Sequence, residues 1–283
     1  MKRVLTRLLG FALIACLIAF ALAPVAAGQY RLWREGQIVD EYRRAADGMT
    51  PLDSGTMLSE ARSHSQANGP LRLSDPFGED GGDDGDAAYR ELLNPVGNGV
   101  MAVLEIPKLG APMPVYHGVR DAALGAGVGH LPQSALPVGD VEAPCVLAAR
   151  RGGWFGGPFA RLERLIPGDC FYIRALQDTL TFQVTRVVTV PAEALAAQES
   201  DPDGETCVLM TTPWGAEDDR LLVYGSRVSR RAVQSPDDTQ RLPEWSARLI
   251  FAAPVAAAGL IALAVIESIR RMIRRHRRKR MKI

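Results

Sequence analysis

Two long apolar runs bracket the chain, at residues 8–27 and 249–266. The first holds twenty residues and follows a basic start, Lys2, Arg3 and Arg7. It is long enough to span a bilayer. Val25-Ala26-Ala27 also fits a small-residue cleavage site, so both an uncleaved anchor and a signal peptide are open readings. The second run holds eighteen residues, with Pro254 and Gly259 inside it, which membrane helices tolerate. Between them the pattern shortens. Ile38, Tyr42 and Ala45 form one stripe of a helix over 29–46, Thr50-Pro51-Leu52-Asp53 breaks it, and a second helix is expected over 54–66. From Met101 onward the period drops to two. Alternating or short apolar runs at 101–109, 112–119, 179–190, 207–211 and 220–225, and at 145–152 with its loop, predict strands, separated by glycine- and proline-rich turns.

Charge sharpens this division. The net charge of +1 comes from 33 basic and 32 acidic residues. Three of the basic residues lie before residue 8, and nine, with the single acid Glu267, lie beyond 248. The remainder, 28–248, keeps 21 basic and 31 acidic residues, about −10, which disfavours nucleic acid as a partner. The basic run that begins at Arg270 directly follows an apolar span. It reads as a cytoplasmic stop under the positive-inside rule, with lipid as its neighbour. Both termini are then cytoplasmic and 28–248 lies outside the cell. No phosphate-cradling glycine loop or metal-ligand spacing occurs, so no cofactor or metal is expected.

The densest pattern is Cys207-Val208-Leu209-Met210-Thr211-Thr212-Pro213-Trp214-Gly215, followed by Arg220-Leu221-Leu222-Val223-Tyr224-Gly225. It predicts a hairpin with Thr211 near Arg220. Three further stretches bear on it: Leu104 to Leu109, Pro114-Val115-Tyr116-His117-Gly118, and Arg150-Arg151-Gly152 followed by Gly168-Asp169-Cys170-Phe171-Tyr172-Ile173. Upstream, Asp75-Pro76-Phe77 precedes a flexible acidic stretch and on its own reads as a surface turn.

Together these stretches resemble the sortases, and most closely the pilus-type class C sortases. The resemblance covers roughly 73–227. It implies a mainly β fold: a closed sortase-type β-barrel with short helices, an N-terminal helical and lid segment, and a membrane helix at each end. The implied layout is a signal anchor or signal peptide at 1–27 and an extracellular helical segment and lid at 28–98. The barrel follows at 99–230, a linker at 231–248, a transmembrane helix at 249–266 and a basic tail at 267–283. By the same resemblance Asp75, Pro76 and Phe77 form a lid over the active site, and Arg220 is the retained catalytic arginine. Thr211 falls on the position of the nucleophilic cysteine, nine residues before Arg220 as in the family. Arg150 falls on the position of the catalytic histidine.

These substitutions matter chemically. A thiol with a pKa near 8.5 can be brought into the working range, whereas a hydroxyl needs an adjacent base. Arginine stays protonated and is no base. Cys207 is no substitute nucleophile: it lies four residues, about 13 Å along a strand, from Thr211. It reads as a buried apolar residue. Cys145 and Cys207 are expected on neighbouring strands, either as a disulfide or as two buried thiols. Histidines 64, 117 and 130 read as structural. The expected function is that of a catalytically degenerate, membrane-anchored extracellular sortase homologue. It would bind sorting-signal peptides, pilin subunits or a partner sortase. The alternatives are an active peptidase or transpeptidase in pilus assembly or cell-wall anchoring, and a purely structural scaffold.

Overall fold

A computed structural model describes residues 2–67, 71, 73–78, 82–139, 143–152, 157–198, 206–213, 215, 216 and 218–229. The chain divides into two compact units, and the larger one spans Ala27–Gln234. Residues 2–26, in the other unit, are helical and belong to α1 (Lys2–Asp47). Among the described residues no helix is long and apolar enough to cross a membrane. The expected span at 249–266 lies outside the described residues, as do the linker at 231–248, the tail at 267–283 and most side chains of the 8–27 run.

The barrel is built from eight strands: β1 (Val100–Glu105), β2 (Met113–His117), β3 (Val128–His130), β4 (Cys145–Ala148), β5 (Cys170–Ala175), β6 (Asp178–Pro191), β7 (Thr206–Thr211) and β8 (Asp219–Arg227). They close in the order β1-β2-β3-β4-β7-β8-β6-β5, which leaves no unpaired edge in the barrel. The β2–β3 and β4–β7 pairs are parallel, and the others are antiparallel. The parallel pairing of β4 with β7 brings the C-terminal ends of both strands to the same rim. Alternation along them separates two cores. Cys145, Leu147, Cys207 and Leu209 belong to the larger one, and Val146, Ala148, Val208 and Met210 to a second one on the opposite face.

Thr50-Pro51-Leu52-Asp53 marks the expected break: α1 ends at Asp47, but α2 runs over Pro51–Ala67 and so begins three residues before the expected 54. The Thr50 hydroxyl accepts from the Asp53 amide at 3.2 Å, and Pro51 occupies the first helical position, where its missing N–H has no cost. The loop expected at 191–204 opens with a 3-10 turn, Ala192–Ala197. Helix α1 is fixed to the barrel through Tyr42. Its buried hydroxyl donates to the Met101 carbonyl at 2.6 Å and accepts from the Leu176 amide at 2.9 Å.

A short helix, α3 (Ala87–Glu91), is capped by Asp86, whose carboxylate accepts from the Tyr89 amide. Tyr89 is 2% exposed, and its hydroxyl contacts His130 Nδ1 at 2.8 Å and accepts from the Gly118 amide at 3.1 Å. His117 holds the end of α3: its Nε2 lies 2.7 Å from the Leu92 carbonyl and its Nδ1 3.0 Å from that of Gly99. Both histidines are therefore structural, as their sequence setting suggested. Burial pushes the His117 pKa down; the two carbonyls and Glu91 offset part of this, and His130 adds to it. The folded protein thus resists a proton that the unfolded chain accepts near pH 6.5. Stability is fully present above that pH and is lost as pH falls below it, until the folded pKa is passed. Urea midpoints at pH 7.5 and 5.5 are expected to show this loss, and His117→Gln is expected to shrink it. A pH dependence identical in the variant would show that His117 is not its source.

Candidate functional site

The Asp75-Pro76-Phe77 segment, expected as a lid, and the start of β8 meet in one ion pair. Arg220 is the second residue of β8 and is 5% exposed. Its Nε donates to Asp75 Oδ1 and its Nη2 to Asp75 Oδ2, both at 2.7 Å. Its Nη1 donates to the Asp219 carbonyl at 2.7 Å. Asp75 is preset for this role by an Asx turn, in which its Oδ1 accepts from the Phe77 amide at 3.1 Å. The Phe77 ring stands over the guanidinium, 5.6 Å from centroid to carbon, at the outer range of a cation–π contact. Leu73 is buried in the second core beside Met210, Leu222 and Tyr224, and Phe77 packs on that core half-buried. Pro76 is buried. This segment is thus seated by apolar contacts on both sides of Asp75.

Thr211 ends β7 and is 1% exposed. Its register partner on β8 is Leu221, one step from Arg220. Its hydroxyl turns to the neighbouring parallel strand and donates to the Ala149 carbonyl at 2.8 Å. The Ala149 amide donates back to the Met210 carbonyl at 3.1 Å, which extends the β4–β7 pairing to the rim. Arg150 comes next in the chain, so backbone and hydroxyl place it beside Thr211. Its side chain leaves the rim, however, and is half exposed in an ion pair with Asp121, the first residue of α4 (Asp121–Ala126). The structure therefore joins Asp75, Phe77 and Arg220, sets Thr211 one ladder step away, and turns the Arg150 guanidinium outward.

Two partners escaped sequence reasoning. Asp121 had no signal, because an acid at the start of a short helix is ordinary. The Ala149 carbonyl became legible only once β4 and β7 were known to be parallel. Cys145 and Cys207 are register partners across that pair and are buried thiols, the second of the two expected states. Cys207 is fully buried in the larger core, four residues from the rim. A cavity of about 580 Å³ lies elsewhere, between α3, β2 and α4, lined by Glu91, Tyr116 and His117 among others. None of the residues at 75, 77, 150, 211 or 220 lines it.

Comparison with known proteins places the fold in a family. The family model described as the sortase domain matches residues 104–228. The structure of sortase C-1 from Actinomyces oris is 30% identical; the match covers 63% of this chain and 99% of that one, with a TM-score of 0.57. Sortase C of Streptococcus pneumoniae is 28% identical, with 68% and 97% covered and a TM-score of 0.60. The pilus-related sortase C of Group B Streptococcus is 25% identical, with the same coverage and a TM-score of 0.61. No curated protein matches the chain.

Proposed function

The chain belongs to the sortase family, and from that membership we propose that it is a non-catalytic homologue of the pilus-type class C sortases, one that binds sorting-signal peptides or pilin subunits without cleaving them. One observation carries this reading. At the position where the family has its thiol stands a buried threonine whose proton is already given to a peptide carbonyl. Activating a hydroxyl requires a base at that proton, and a main-chain carbonyl cannot take it. Arg150, counted onto the position of the family's histidine, is paired with Asp121, and a guanidinium is no general base. Arg220 remains able to hold a carbonyl or an anion in the groove, as oxyanion donors do. The apolar runs at 8–27 and 249–266, with their basic flanks, support a membrane-anchored protein whose central domain faces outward. A pilin subunit or a second sortase presented at the same surface is the partner that such a placement suits.

Two measurements on the full chain in detergent test this. Sorting-signal peptides should bind by calorimetry, and thiol-reactive analogues of the same peptides should leave the protein unlabelled. Cleavage of the peptide, or labelling at Cys207, would make the chain an active transpeptidase. Absence of binding even in Asp75→Ala, where the lid carboxylate is gone, would leave only a scaffold.

A further inference from the structure

The Arg220–Asp75 contact has a shape that identifies a ligand. Two parallel bonds of 2.7 Å run along one edge of the guanidinium, Nε to Oδ1 and Nη2 to Oδ2. This fork-on-fork arrangement fits a carboxylate, whereas a peptide carbonyl offers one oxygen and fills half of the edge. The two side chains are 6% and 21% exposed, so the cation is nearly withdrawn from water. Asp75 reaches it from a segment outside the barrel ladder, seated by Leu73, Pro76 and Phe77. It is in effect a carboxylate ligand tethered to the chain.

We propose that the groove's ligand is a peptide with a free C-terminal carboxylate, which replaces the Asp75 carboxylate on Arg220. This deepens the non-catalytic peptide-binding reading and rests on it. Exchanging one carboxylate for another leaves the guanidinium with two charge-assisted bonds before and after. An uncleaved peptide would instead replace an ion pair with a neutral acceptor on a nearly buried cation. Charge-assisted bonds are roughly twice as strong as neutral ones, so a carboxylate outcompetes a neutral carbonyl for this edge. The site therefore selects the terminus that peptide-bond hydrolysis leaves behind, and it needs no chemistry at Thr211. Phe77, over the same guanidinium, packs on the cluster that holds Leu73, Met210 and Leu222, so a ligand that displaces this segment gains apolar surface for the residues before its terminus.

The test uses the smallest pair of probes that differ only in the terminal group, N-acetylalanine and N-acetylalanine amide. The readout is the Nε–H resonance of Arg220 in the ¹⁵N-labelled full chain in detergent, assigned by its loss in Arg220→Lys. In Asp75→Ala the acid should shift this resonance at millimolar concentration, and the amide should bind at least tenfold more weakly. Asp75→Asn, which keeps the side-chain shape, should behave in the same way. In the native chain the acid should bind at least tenfold more weakly than in either variant, because it must displace Asp75. Equal binding of acid and amide overturns the proposal while leaving non-catalytic peptide binding intact. Equal binding of the acid by native and variant chains overturns it too, as does a resonance that neither probe moves. Turnover of a sorting-signal peptide by the native chain removes the underlying reading and the proposal with it.

Discussion

Thr211→Cys combined with Arg150→His is expected to cleave a sorting-signal peptide about 10²–10⁴-fold faster than Thr211→Cys alone, the usual contribution of a positioned acid or base. The single variant supplies a thiol one ladder step from Arg220, whose positive charge favours the thiolate. That thiol should be alkylated by iodoacetamide, but it has nothing to protonate the leaving amine. Histidine at 150 supplies that group on the strand end that the Ala149 amide, bonded to the Met210 carbonyl, holds beside residue 211. It also gives up the ion pair with Asp121, a half-exposed contact that contributes little to stability. The expected lid adds a condition: with its carboxylate on Arg220, Asp75 offsets the charge that would favour the thiolate. Adding Asp75→Ala should therefore speed both alkylation and cleavage. Peptide cleavage is read by chromatography, with the native chain at blank. A triple variant that keeps a native-like thermal transition yet neither labels nor cleaves would show that the groove itself has diverged.

The strands were legible because their side chains alternate and their turns carry glycine and proline; β6, expected over 179–190, forms over Asp178–Pro191. Thr50-Pro51 separates two helices as expected, but the second starts at Pro51 and not at residue 54, because proline at the first helical turn is a starter. Asp75-Pro76-Phe77 drew attention only through resemblance, since on its own it reads as a surface turn. No local pattern joins Asp75 to Arg220, 145 residues apart, and that pairing depends on Leu73 and Phe77 finding the face of Met210 and Leu222. The direction of each functional group was the least visible part. Residues at 150 and 211 could be counted onto family positions, yet nothing in the sequence says that Arg150 turns to Asp121 or that Thr211 gives its proton to Ala149. Those directions follow from the parallel β4–β7 pair, a contact between strands 62 residues apart.

Gly225→Ala is expected to destabilise the barrel by about 1–3 kcal/mol through overpacking, with no backbone strain involved. The glycine sits in β8 opposite Cys207 on one side and Val184 on the other. A Cβ there would lie 2.5 Å from Cε1 and 2.7 Å from Cζ of Phe171. That ring is fully buried and stacks on Phe182, its register partner across β5 and β6, with centroids 5.3 Å apart and planes 14° apart. It cannot slide away, because Phe182 Cβ already lies 3.3 Å from the same point. Removing the ring costs more: Phe171→Ala should lose about 3–5 kcal/mol through lost burial and the cavity left behind, roughly 10 °C in Tm for a unit of this size. The two sites are in contact, so their effects should not add. Phe171→Leu vacates the space that the new methyl would occupy, and Gly225→Ala fills part of the void that leucine leaves. The double variant should therefore be more stable than the sum of the two single losses predicts, by about 1 kcal/mol or more, measured from urea midpoints at constant m-value. Strict additivity would mean that β8 moves to accommodate the methyl, and that the glycine closing the Arg220-to-Gly225 pattern is not there to seat the Phe171 ring.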